Sequence, residues 1–254
     1  MEAFVDRPVV VFVVLFLVFL SSIAFGAFVL RRKVELPPDQ RDDFKIVQSS
    51  TFTLLALLIG FCLSMAVSRY DQRKNLEEAE ANAIGTEYVR ADLADVHLAA
   101  SIKDGLVRYT QLRIDDYLTR APAELARIGQ DTAALQSSLW ELATQVAKEL
   151  PNPIGAAVVT GMNDVLNSQD YSEAARINRI PLGSWALMIV IGVCGCVIQG
   201  YGASVGHHKG MLVTILPLIV ALSLALISDV DSPRGGLIHI QPQNLSRLMH
   251  SFGK

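Results

Sequence analysis

Ser49, Thr53, Ala56, Gly60 and Ser64, continued by Val67 or Ser68, recur at three- and four-residue steps inside an apolar stretch. Such steps place residues on one face of a helix. Two kinds of chemistry suit a face of this composition. Small residues four apart let helix backbones approach closely within a membrane. Hydroxyls and exposed glycine carbonyls can instead face water around the axis of an oligomer, which makes Ser49, Thr53, Gly60 and Ser64 pore-lining candidates. Beyond the stretch come Tyr70-Asp71-Gln72-Arg73 and Glu77-Glu78-Ala79-Glu80. If the helix continues a pore, Glu77, Glu78 and Glu80 form acidic rings at its mouth and concentrate cations there. Read blandly, the same glutamates are a solvated helical face.

A second constellation closes the last apolar stretch: Asp229-Val-Asp231-Ser-Pro-Arg234-Gly-Gly. Carboxylates at a helix C-terminus oppose its dipole, so a compensating cation is expected nearby. Arg69, Arg176, Arg179 and Arg234 lie near the same membrane boundary, and Arg69, Arg179 and Arg234 with Asp71, Asp229 and Asp231 make a candidate interfacial ion-pair belt joining the ends of the second, third and fourth stretches. A bound cation at Asp229 and Asp231 is the sharper alternative. Gly192, Cys196 and Gly200 repeat the small-residue spacing in the third stretch and read as helix packing. His207-His208 sits in a short polar turn and reads as a solvated pair. His97, His239 and His250 have no partner at metal-ligand spacing. No phosphate loop, nucleophile elbow or zinc-protease helix occurs, so no catalytic residue, metal site or cofactor is expected and the chain is not read as an enzyme.

These groups are positioned by four apolar stretches, at about residues 8–30, 44–68, 182–201 and 211–228. Each approaches or exceeds the roughly 20 helical residues that cross a hydrocarbon core. Residues 1–69 therefore read as one transmembrane hairpin and 181–229 as another, with 230–254 a short tail. Between them, residues 70–180 carry 17 acidic and 11 basic side chains, a net charge of −6, in a chain whose overall charge is −3. Such a surface excludes nucleic acid as a partner. Cys62, Cys194 and Cys196 all fall within apolar stretches and read as small hydrophobes. The first stretch lacks a basic head like that of a cleaved signal and reads as a retained helix.

The central block shows helical periodicity. Leu76, Ala79, Ala83, Ile84, Tyr88 and Ala91 extend the second stretch beyond the bilayer, with Gly85 and Gly105 the expected bend points. Leu125, Ile128, Leu135, Leu139, Leu142, Val146 and Leu150 share a face of the next helix, which Pro122 opens and Pro151-Asn152-Pro153 ends. A last helix spans about 154–177. The fold class is thus an all-α integral membrane protein: four transmembrane helices, two plus two, bracketing a helical-bundle domain. The four crossings put both termini and the central block on one side. Arg31, Arg32, Lys33, Arg41 and Lys45 in the first connector, against Arg7 at the N-terminus, place that connector in the cytoplasm and the block outside it.

Taken together, Tyr70-Asp71-x-Arg73, Glu78-Ala79-x-Ala81-x-x-Ile84-Gly85-Thr86, Asn178-Arg179-Ile180-Pro181 and Asp229-x-Asp231-x-Pro233-Arg234-x-Gly236 resemble the bestrophin-like membrane protein family, a group of uncharacterised function. The motifs run from the second stretch to the tail and cover most of the chain. The resemblance implies a distant likeness to bestrophins, homopentameric anion channels whose second membrane helix lines the pore. It implies self-association, with a pentamer the leading stoichiometry, inorganic ions and the lipid bilayer as partners, and a bacterial inner membrane as the location. Phe61 is the lone aromatic residue between Leu57 and Ser68, where bestrophin pores are constricted by an aromatic triplet. That departure and the acidic block tilt the expectation toward cations. A non-conducting sensor or scaffold acting through the central helices is the alternative.

Overall fold

A computed structural model describes residues 5–33, 36–203 and 210–252, and the described residues form helices without strands. Helix α1 is Pro8–Lys33, its last third widened into a π-helical turn at Gly26–Leu30. Helix α2 is Arg41–Arg90, α3 Val96–Leu118, α4 Pro122–Glu149, α5 Pro153–Ile177, α6 Leu182–Gly202, α7 Gly210–Asp231 and α8 Gln243–Ser251. Among the described residues, four helices are long and apolar enough to cross a membrane. The His207-His208 pair of the short turn lies outside the described residues.

Local chemistry sets the boundaries. Proline opens α1, α4 and α5, where its missing N–H breaks no bond. The Asp95 side chain caps α3 by accepting from the His97 N–H, and Asn152 caps α5 by accepting from Ile154 and Gly155. The break after α2 falls at Ala91–Leu93 and Ala94, not at Gly85 or Gly105. Both glycines lie within continuous helices, where they are packing contacts. A Cβ on Gly85 would come within 3.0 Å of Leu248 Cδ1, and one on Gly105 within 2.6 Å of Leu139 Cδ2. The cap at Asp95, rather than a glycine, provides the turn.

The chain divides into two compact units. In the first, Met1–Arg69 with Arg179–His239, α1 packs against α6 and α7. Gly26 of α1 lies against the backbone of Val197 and Tyr201, and Gly200 of α6 against the backbone of Ile23. A Cβ at either place would overlap main chain, which cannot rotate aside. Gly192 accommodates the Phe19 ring and Gly195 the Phe52 ring, while Cys196 is buried between these levels. The Gly192-Cys196-Gly200 face is therefore a packing surface.

The second unit comprises Tyr70–Asn178 and Ile240–Lys254. Its core gathers Ile84, Ile102, Leu106, Tyr109, Leu139, Val146, Val158, Met162, Val165 and Leu245. In α4 the expected apolar face is turned inward, with Ile128, Leu139 and Val146 fully buried. The tail does not end as a loose extension. Leu245, Leu248, Met249 and Phe252 recur at helical spacing on α8 and join this core, and the Phe252 ring lies 4.3 Å from that of Tyr88.

Replacing Gly200 by Leu is expected to lower the thermal midpoint of the detergent-purified protein, since overpacking costs about 1–3 kcal/mol. Gly183→Ala, at a site with nothing within 4 Å, should leave it unchanged. Scanning fluorimetry of the two variants checks this.

Candidate functional site

Burial sorts the residues of α2 by face. Leu55, Cys62 and Ala66 are buried, as are Arg73, Glu77, Glu80, Ala81, Ile84 and Glu87 further along. Ser49, Thr53, Ala56, Gly60 and Ser64 are all exposed, and a Cβ on Gly60 would meet nothing within 4 Å. The Ser49 hydroxyl donates to the Ile46 carbonyl at 3.0 Å and that of Thr53 to the Ser49 carbonyl at 2.9 Å. Those groups are thus satisfied by their own helix and need no partner across an interface.

Of the three candidate mouth glutamates only Glu78 is exposed; Glu77 and Glu80 are 1% and 0% exposed. They are not rings at a pore mouth but structural acceptors. Glu80 Oε1 takes the Nε–H of Arg113, and its Oε2 accepts from Ser172 at 3.3 Å and Tyr117 at 3.5 Å. Arg113 also lies 3.5 Å from Asp116, which pairs with Arg176, and the Arg176 guanidinium stacks 4.4 Å over the Tyr117 ring. Burial works to lower the Arg113 pKa, but the charge and hydrogen bond of Glu80 more than offset it, so the guanidinium stays charged. Glu77 receives the N–H groups of Asn244 at 2.9 Å and Leu245 at 3.0 Å, plus the Asn244 side-chain amide at 2.7 Å. It caps α8 from another helix, where orphan donors and the positive dipole end favour a carboxylate. Sequence reasoning missed these roles because a glutamate among charged neighbours looks solvated. The signal available was spacing, since 77, 80, 84 and 87 continue the periodicity of one face.

Glu87 differs from both. It is fully buried, and neither carboxylate oxygen has a hydrogen-bond partner. Its carboxyl and the Arg90 guanidinium both crowd the space above Gly161 of α5, which only a residue without a Cβ leaves open. Burial raises its pKa to about 8, with Arg90 opposing the rise and Asp164 adding to it.

In the first unit an ion-pair cluster forms around Arg179, without a member from the second span. Arg179 pairs with Asp231, Nε to Oδ2 at 3.4 Å, and with Asp6 at 2.8 Å. Asp231 also accepts the Ile180 N–H at 3.2 Å, and Ser232 donates to Asp6 at 3.0 Å. Asp229 accepts the Leu237 N–H at 2.7 Å, beside Gly236, whose φ of +76° places it in the left-handed region. A carboxylate therefore sits where a Gly236 side chain would otherwise point. The knot ties the start of α1, the start of α6 and the end of α7. Asp6 is a member the sequence did not suggest, being remote in the chain. Asp71 is exposed and makes no ion pair among the described residues, so it leaves the belt. Arg234 is half-buried beside the knot, and Arg69 reaches the Met65 sulfur at 3.7 Å. No group of three His, Cys, Asp or Glu that could hold a metal ion occurs among the described residues.

Fold and site together define an integral membrane protein built from apolar helices and a helical bundle. A family model described as the Bestrophin-like domain matches residues 15–245, and the chain belongs to that family. Among solved structures, a bacterial bestrophin homologue from Klebsiella pneumoniae aligns with TM-score 0.69 and 12% identity, over 97% of each chain. A point variant of the Klebsiella homologue aligns with TM-score 0.67 and 13% identity, over 97% of this chain and 99% of that one. At such identities the likeness is one of fold. No curated protein matches the chain.

The raised pKa of Glu87 has a definite sign. Between the ordinary value of 4.5 and about 8, the unfolded chain has released a proton that the folded protein retains, so stability falls as pH rises across this window. Glu87→Gln removes that dependence. Its thermal midpoint should equal the wild type's near pH 5 and exceed it by several degrees near pH 8, measured by calorimetry at matched ionic strength.

Proposed function

We propose that the protein is a homo-oligomeric ion channel of the bestrophin-like family whose pore is lined by α2. The observation that carries this reading is the exposed face of that helix. At about 100° per residue, Ser49, Thr53, Gly60 and Ser64 fall on the side of α2 opposite Leu55, Cys62 and Ala66. That face mixes these small and hydroxyl-bearing residues with exposed apolar ones such as Leu57 and Val67, and the hydroxyls and the bare backbone of Gly60 suit a water-filled path. Helical register carries it on through Asp71, Asn75 and Glu78, all exposed.

Five copies around an axis are the stoichiometry that the bestrophin resemblance suggests, with the helical block as a vestibule. With Glu77 and Glu80 buried and bonded, Glu78 and Asp71 are the carboxylates left to shape an acidic mouth, and they favour cations. The membrane would be a bacterial inner membrane. The basic first connector argues for a cytoplasmic position of the short turns and places the block on the opposite side.

Reconstituted into planar bilayers, the purified protein should carry current above that of an empty membrane. Gly60→Leu should reduce the unitary conductance, and Glu78→Gln should shift the reversal potential in a salt gradient toward anions. No current over a range of pH and salts removes the channel reading. A monomer or dimer in mild detergent transfers it to a non-conducting scaffold, since neither encloses a pore with one helix per subunit. For orientation, a cysteine introduced at exposed Ser137 in a background lacking Cys62, Cys194 and Cys196 should react with an impermeant maleimide on intact spheroplasts; labelling only after lysis reverses the assignment.

A further inference from the structure

Within the second unit, two unlike edges flank the exposed face of α2. That face runs through Asp71, Asn75, Glu78, Asn82 and Thr86. At about 100° per residue, Ala81 and Gly85 lie to one side of Asn82, and Glu87 and Arg90 to the other. Helix α8 covers the first side, where a Cβ on Gly85 would come within 3.0 Å of Leu248. Helix α5 covers the second, with Glu87 and Arg90 both against Gly161. On the α8 side a groove of about 640 Å³ stays open, walled by Asn82, Gly85, Thr86, Asn244, Arg247 and Leu248. On the α5 side Thr160, Asp164, Asn167 and Tyr171 recur at helical steps and are all exposed. Gly155 packs on the backbone of α4 from a different side of α5, so α4 leaves this stripe uncovered. Arg247 and Asp164 are both exposed, and neither forms an ion pair among the described residues.

The two edges also lie at one height along α2. Helix α5 runs antiparallel to α2, since Gly161 meets Glu87 and Ser172 meets Glu80. Asp164, three residues on from Gly161, therefore stands about 4.5 Å back along α2 from Glu87, level with Gly85. Arg247 adjoins Leu248, which touches Gly85. Tyr171 adjoins Ser172 and so stands level with Glu80 and Ala81, at the end of the groove that Ala81 lines.

We propose that the α8 groove of one copy receives the α5 stripe of a second copy, with Asp164 paired to Arg247 and Tyr171 seated beside Ala81. This rests on the reading of the protein as a homo-oligomer with α2 at its axis. Rotation about such an axis carries one edge onto the other without changing height, so residues that meet must be level within each chain. The contact joins unlike surfaces and closes into a ring instead of a two-fold pair. Opposite charges at matched positions fix the register and disfavour wrong pairings. An exposed tyrosine opposite an open groove is the kind of anchor that interfaces favour.

The test uses the full chain carrying Asp164→Cys and Arg247→Cys in a background lacking Cys62, Cys194 and Cys196. Both positions are exposed, so the substitutions leave the fold intact. The protein is purified in mild detergent, its mass is measured by light scattering, and a short bismaleimide is added. The double variant should give a ladder of covalent multimers on a denaturing gel, and each single variant none. In the natural background, Arg247→Glu and Asp164→Arg should each weaken association on dilution about tenfold or more, and combining them should restore it. An oligomer without a ladder, a ladder from either single variant, or two charge reversals without effect would overturn this interface and leave the homo-oligomer reading in place. A monomer by light scattering overturns both.

Discussion

Glu80 is a carboxylate with no exposed surface, and the extramembrane unit is organised around neutralising it. An ion so placed loses its hydration, a penalty of several kcal/mol that only a well-formed partner offsets. Arg113 supplies the charge from α3, Ser172 and Tyr117 supply hydrogen bonds from α5 and α3, and Asp116 with Arg176 balances the second cation. Removing one member of such a pair strands the other, at a cost of about 3–5 kcal/mol. The network therefore fixes the registers of α2, α3 and α5 against one another more tightly than the apolar core alone would.

The three buried glutamates of α2 show how far environment, not residue type, decides role. Glu77 meets backbone N–H groups at a helix start and becomes a cap; Glu80 meets a guanidinium and becomes a cross-link. Glu87 lies beside the Arg90 guanidinium without a hydrogen bond to it, and burial raises its pKa. All three occupy the same helical face at spacings of three and seven. The differences arise from what α8, α3 and α5 present to each.

That contrast also marks what could be read before any coordinates. The helical class, the two-plus-two crossings and the inward face of α4 follow from apolar periodicity, which encodes burial directly. Charges at helix ends named Arg179 and Asp231 among six belt candidates without pairing them; the fold joins these two. The burial of Glu77 and Glu80 was not, because hydropathy assigns a glutamate to solvent and a compensating arginine 33 residues away is invisible to a local window. The tail helix escaped notice for a related reason. A nine-residue helix is too short to be stable alone, and α8 exists because Glu77 caps it and Leu245 enters the core. The turn after α2 was sought at glycines, although the information lay in a capping aspartate.

With its buried seam assigned, α2 is left with one free side. A helix whose inner face holds the core, a carboxylate cross-link and a cap cannot rotate about its axis without breaking all three. Its outer face is therefore presented in one orientation only. Beyond Tyr70 that face carries Asp71, Asn75 and Glu78, all exposed.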